Sequence, residues 1–164
     1  MIVEAVLFNL ADLPPAERTA FALEMLEDRA AHCEPIALRA WLDGADISGN
    51  YVLLEALNIP YVGPNLFLAP DSQPGDGTLE VVLVREEERE RLRNNLASWQ
   101  SNRERLSVLP THRGRSLRIE WSGFKLHIDD ELWPDGASPP ASGTIELALT
   151  GQAVEFLAPD SKQR

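Results

Sequence analysis

The apolar positions of this chain follow two periods, and the switches between them mark its elements. Ile2 to Phe8 is a short apolar run suited to a buried strand. Asp12-Leu13-Pro14-Pro15 after it is a helix entry, proline being tolerated in the first helical turn. Over Pro15 to His32, Phe21, Ala22, Met25, Leu26 and Ala30 recur at three- and four-residue steps while Glu17, Arg18, Glu24, Glu27 and Asp28 sit mostly elsewhere. That pattern predicts an amphipathic helix packed on a sheet by one stripe. At Ile36 the period becomes two: Ile36, Leu38, Ala40 and Leu42 share one face of a strand, and Ala37, Arg39, Trp41 and Asp43 the other. Asp43-Gly44 begins a turn and Tyr51 to Asn58 returns as a second strand, so the pair reads as a hairpin with a longer loop.

Proline then punctuates the chain. Pro60 and Pro64 cannot donate to a ladder, which places Ile59 to Pro64 outside a central strand. Asn65 to Ala69 is short and extended, Pro70 to Gly77 is a turn cluster, and Thr78 to Val84 is an apolar strand. The charge run Arg85 to Arg91 reads as the solvated face of a helix reaching about Gln100, with Leu92, Leu96 and Trp99 as its buried stripe and Glu87 paired with Arg91 one turn on. Leu106 to Leu109 predicts a short strand before a basic turn, Thr111 to Arg115. Leu117, Ile119 and Trp121 then face one way, and beyond a Ser122-Gly123 turn Phe124, Leu126 and Ile128 continue that face, opposite Lys125, His127 and Asp129. Trp133 to Ser142 is a loop rich in proline, glycine and serine. Ile145, Leu147 and Leu149 make a further strand, and Val154 to Leu157 a last one. Short strands with frequent turns and two helices predict a mainly β chain with two helices (α+β), a two-layer β-sandwich with helical additions. It is read as one domain over 1–159 with a frayed tail at 160–164.

Composition narrows the partners. A chain of 164 residues is long enough to bury a core without staples, and its lone Cys33 excludes a disulfide framework and fits a reducing compartment. With 26 acidic against 15 basic residues, the net charge of −11 repels phosphodiester backbones, so nucleic acid is not expected as a partner. No apolar run approaches a membrane span and the N-terminus lacks a signal pattern, so a cytoplasmic protein is expected, with at most peripheral membrane contact through a local patch. Walker A, dinucleotide-binding, zinc-protease and nucleophile-elbow patterns are missing.

One stretch carries more information. Gly49 to Val84 holds the connector Asn58-Ile59-Pro60-Tyr61-Val62-Gly63-Pro64, the loop Ala69-Pro70-Asp71-Ser72-Gln73-Pro74-Gly75-Asp76-Gly77, and then Thr78-Leu79-Glu80-Val81. In this arrangement it resembles the C-terminal β-sandwich domain of the diacylglycerol kinase and sphingosine kinase superfamily, the YegS-like lipid kinases. Glu80 stands where that family usually has Asp. The resemblance implies a structural magnesium at the Asp-Gly loop, with Asp76 supplying a side chain, Thr78 a backbone carbonyl and Asp71 a further ligand. Gly75 replaces an acidic residue common there. Taken alone, the Asp76-Gly77 dipeptide reads simply as a turn.

A second match is Ile128-Asp129-Asp130-Glu131, against the family's hydrophobe-Asp-Gly-Glu. Here Asp129 matches the Asp, Asp130 replaces the Gly and Glu131 matches the Glu, which the resemblance places near the lipid hydroxyl as its positioning group or general base. Asp129 is the accompanying catalytic candidate. An acidic, solvated strand end is the alternative reading of the same residues. Phosphoryl transfer also needs phosphate positioning and charge neutralisation. No Gly-Gly-Asp-Gly-Thr loop for ATP occurs in this sequence. The expectation is therefore an acceptor-side, lipid-binding domain that is inactive alone. ATP would enter only through a nucleotide-binding kinase domain, in cis or in trans, and the acceptor would be a diacylglycerol-like or long-chain-base lipid. A non-catalytic binding module that kept the sandwich is the alternative; a two-carboxylate glycosidase has less support.

Overall fold

The structure, a computed structural model, describes residues 14–62, 66–102, 109–121, 123, 125–128, 131–134, 138 and 141–149. The expected strands at 2–8 and 154–157, the tail at 160–164, Leu106 to Val108, Ser122, Phe124, Asp129 and Asp130 lie outside the described residues.

Helix α1, Pro15–His32, starts with proline in its first turn, where the missing N–H would have no helical partner. Among the described residues of α1, Leu23 and Ala30 are buried, with Leu26 and Cys33 packed beside them, so Leu26 and Ala30 of the expected stripe meet the core while Phe21, Ala22 and Met25 are only partly covered. Docking on the second helix widens the stripe toward Leu23, which a period of 3.6 places beside Leu26 and Ala30. After a 3₁₀ turn at Glu86–Glu88, α2 runs Arg89–Asn102 with Leu92 and Leu96 buried and Trp99 packed against the same cluster. Arg91 lies 3.9 Å from Glu88, one turn back on the same helical stretch. Arg89 joins the helices: its guanidinium donates to the carbonyl oxygens of Ala30 and Cys33, each at 2.7 Å, closing the C-terminus of α1. Arg89→Ala is expected to cost about 2 kcal/mol, read by urea denaturation, because it strips a charged donor from carbonyls that the helix leaves unpaired.

The main sheet is antiparallel throughout. Its strands are β1 (Ile36–Leu42), β2 (Ala45–Asp46), β3 (Gly49–Leu57), β6 (Leu79–Arg85), β7 (Thr111–Gly114), β8 (Ser116–Trp121) and β11 (Gly143–Ala148). They run in the order β11-β8-β1-β3-β6-β7, with β2 hydrogen-bonded to β1. Two further pairs stand apart, β4 (Tyr61–Val62) with β5 (Leu66–Phe67) and β9 (Leu126–Ile128) with β10 (Glu131–Trp133). Residues 36–38 of β1 pair with β3 and residues 39–42 with β8. At the far end of the path, β7 pairs with β6 and stops at Gly114, with Arg115 alone between it and β8. The stretch 111–121 is thus one bent strand whose halves belong to the two layers of the sandwich.

Two cores follow from this arrangement. Leu38, Ala40, Leu42, Tyr51, Leu54, Leu79, Val81, Leu83, Leu117 and Ile119 fill the space between the layers. Val52, Leu53, Val82 and Val84 on the opposite face of β3 and β6 meet Leu23, Ala30, Leu92 and Leu96 of the helices. A register shift between Tyr51 and Leu53 puts both Val52 and Leu53 on the helix side, as a bulge does by adding one residue to one strand. The corner of the bent strand is tight. A Cβ on Gly114 would lie 2.5 Å from Leu42 Cδ1, and the Asp43 carboxylate accepts the backbone N–H groups of Arg115 and Ser116, each at 2.9 Å.

Some expectations change here. The basic segment from Thr111 is a strand as far as Gly114, because pairing with β6 satisfies its backbone. Ile128 is exposed instead of continuing the apolar face, since β9 leaves the main sheet to pair with β10. Glu131 to Trp133, expected as a strand end and a loop, form β10, and Trp133 packs its ring on Trp121 with centroids 5.1 Å apart.

Candidate functional site

The loop before β6 is built by Asp76. Its Oδ1 accepts the Thr78 backbone N–H at 2.8 Å and the Thr78 hydroxyl at 2.7 Å, an Asx-type closure that turns the chain into the strand. Its Oδ2 accepts from Arg113 Nη2 at 2.6 Å, and the same nitrogen donates to Thr78 Oγ1 at 3.0 Å. Arg113 Nε lies 3.0 Å from Oε1 of Glu80, its cross-strand partner in the β6–β7 register. Glu80 is only 1% exposed, while Arg113 is 53% exposed, so one solvent-facing guanidinium serves a buried carboxylate and a loop carboxylate together.

Sequence reasoning missed Arg113. The signal was present in Leu79-Glu80-Val81-Val82-Leu83-Val84: an acid within an apolar strand demands a positive partner on the neighbouring strand, because an unpaired buried charge costs several kcal/mol.

The hydrogen bonds from the Thr78 hydroxyl and amide, helped by the charge of Arg113, hold the Asp76 carboxyl below its usual range. A depressed folded pKa contributes stability above the unfolded value, about 3.9 for Asp, and loses it as pH falls through the folded value. Comparing native protein with Asp76→Asn from neutral to strongly acid pH should show the stability difference persisting down to the unfolded pKa and vanishing below the folded one.

Asp76 and Thr78 are therefore brought together, but the Thr78 groups engaged are its hydroxyl and N–H. Asp71 is exposed in the turn preceding them. Both Asp76 oxygens have donors, Oδ1 from Thr78 and Oδ2 from Arg113. Among the described residues no group of three or more His, Cys, Asp or Glu side chains is arranged to hold a metal ion.

Glu131 opens β10, in register with Ile128 at the end of β9; Asp129, the other catalytic candidate, is outside the described residues. The two acidic positions of the sequence reading ride on separate elements, Asp76 on the loop tied to β7 and Glu131 on the β9–β10 hairpin. Exposed hydrophobic residues sit outside the main sheet, Ile59 and Tyr61 at β4 and Ile128 and Trp133 on the second hairpin. Tyr61 rests on Phe67 with centroids 5.0 Å apart.

On the outer face of β1 and β8, the guanidiniums of Arg39 and Arg118 lie 5.5 and 5.3 Å from the Trp41 ring. A shallow depression of about 380 Å³ beside them is lined by Trp41, Gly44, Ser116, Arg118 and Glu146. Arg39 lies 3.4 Å from Glu120, so positive charge on this face is offset by acids rather than gathered for an anion.

An antiparallel sandwich with two helices on one face is the architecture of a β-sandwich domain found in diacylglycerol-kinase-like proteins. Residues 7–148 match the YegS C-terminal NAD kinase β-sandwich-like domain, and the chain belongs to that family. A protein of Bacillus anthracis str. Sterne assigned as a diacylglycerol kinase superposes with a TM-score of 0.56 at 16% identity, over 90% of this chain and 48% of the other. Another diacylglycerol kinase structure from the same organism gives 0.54 at 17% identity, over 90% and 47%. The chain thus spans about half the length of the solved structures it matches. No curated protein sequence matches it. No helix among the described residues is long and apolar enough to cross a membrane.

Proposed function

We propose that this chain is the acceptor-side domain of a lipid kinase, presenting a diacylglycerol-like or long-chain-base alcohol to a nucleotide held by a second domain. The observation that carries this reading is the family match over residues 7–148, in a chain about half as long as its diacylglycerol-kinase neighbours. The exposed apolar residues on the two small hairpins support it, because a lipid acceptor needs apolar contact beside the group that handles its hydroxyl. In this reading Glu131 takes the hydroxyl proton and Asp129 supports it. ATP would supply the phosphoryl group from the other domain. Alone, the chain has no means of neutralising that group and does not phosphorylate, and its membrane contact is peripheral.

The test mixes this chain with a nucleotide-binding domain from a family member and assays ATP-dependent phosphorylation of diacylglycerol and sphingosine. Turnover by the pair and by neither part alone is the expected result. Lipid binding without turnover would favour a second reading, a non-catalytic module that kept the sandwich. The replacement of a family glycine by Asp130 and of a family acid by Gly75 is what supports that alternative.

A further inference from the structure

The Asp76 loop is held by a protein cation where the resemblance implies a metal. Three oxygen-bearing side chains converge on one edge of Arg113: Nη2 meets Asp76 Oδ2 at 2.6 Å and Thr78 Oγ1 at 3.0 Å, and Nε meets Glu80 Oε1 at 3.0 Å. Both Glu80 oxygens are buried and accept no hydrogen bond, so this carboxylate depends for its compensation on the charge of the guanidinium 3.0 Å away. A hard divalent cation would seek these same oxygens at 2.0–2.6 Å. The positive guanidinium already bonded to these groups opposes a second cation beside it.

From this we infer that Arg113 is the built-in counter-cation of the loop, tying residues 76–80 to β7 in place of a divalent metal, so that order in this loop does not depend on magnesium or calcium. The planar fork suits the task, since a single arginine edge can serve two carboxylates in fixed directions while a lysine offers one point charge. This role is structural and independent of any turnover, so it stands or falls separately from the lipid-kinase reading.

Thermal unfolding tests it directly. Wild-type protein in MgCl₂ or CaCl₂ should show no saturable rise in midpoint over NaCl at matched ionic strength. Arg113→Ala should lower the midpoint by about 5 °C or more, through the uncompensated Glu80 and the released loop. Added Mg²⁺ or Ca²⁺ should recover part of that loss, and Asp76→Ala in the same background should remove the recovery. Arg113→Lys serves if the alanine variant does not fold, with a smaller fall expected. A saturable Mg²⁺ or Ca²⁺ shift in wild type that Asp76→Ala abolishes would overturn the inference and place a metal in the loop. An Arg113→Ala midpoint equal to wild type would overturn it as well.

Discussion

Gly114→Val is expected to destabilise the domain by about 3 kcal/mol, measured by chemical denaturation, through overpacking at the corner of the bent strand. The hypothetical Cβ meets Leu42 Cδ1 at 2.5 Å and Cγ at 2.6 Å, and the Asp43 carboxylate at 3.0 Å. Leu42 cannot swing away freely, being buried in the core between the layers. Relief would come from shifting the Gly114 backbone, but the Asp43 carboxylate fastens the next two residues through their N–H groups. Gly143→Ala is the control, for there a Cβ would touch only Trp121 Cε3, at 3.4 Å, an ordinary contact. Its expected effect is within about 0.5 kcal/mol. Equal losses at the two positions would mean that the corner is softer than its geometry indicates.

Glu131→Gln carries the other large effect. In the reconstituted pair it is expected to lower kcat by about 10²- to 10⁴-fold while leaving the unfolding midpoint unchanged. Glutamine keeps the size and hydrogen-bonding reach of glutamate but cannot take a proton, so binding of the lipid should persist while transfer from its hydroxyl fails. The pH profile of kcat should lose its acid limb with the same substitution. A variant that retains turnover within a factor of two or three would remove Glu131 from the chemistry. Asp129→Asn, if Asp129 only supports its neighbour, should fall between wild type and Glu131→Gln.

Where each face of an element was chemically uniform, the sequence was enough to find it. β1 alternates cleanly because Leu38, Ala40 and Leu42 turn to the inner core and Ala37 and Arg39 to solvent, and α1 was found end to end. β7 was not legible as a strand: Thr111, His112, Arg113 and Gly114 show no apolar alternation, and only pairing with β6 makes them one. β2, β4 and β5 are two residues each, too short for any period to register. β10 hides between an acidic cluster and a proline-rich loop, and its partner β9 is outside the main sheet. The loop closure at Asp76 follows from local chemistry, whereas its third participant, Arg113, comes from 37 residues away and only the sheet register reveals it. The roles of Glu131 and Asp129 rest on motif resemblance, since side-chain types alone do not separate a general base from a solvated carboxylate.

Because 111–121 is one continuous backbone shared by both layers, and β1 pairs with β3 by its first half and with β8 by its second, the two layers are tethered covalently at both places. Amide protons of β8, which lies between β1 and β11, should exchange with solvent only when the whole domain opens, at rates set by global unfolding, whereas those on the open side of β7 should exchange sooner.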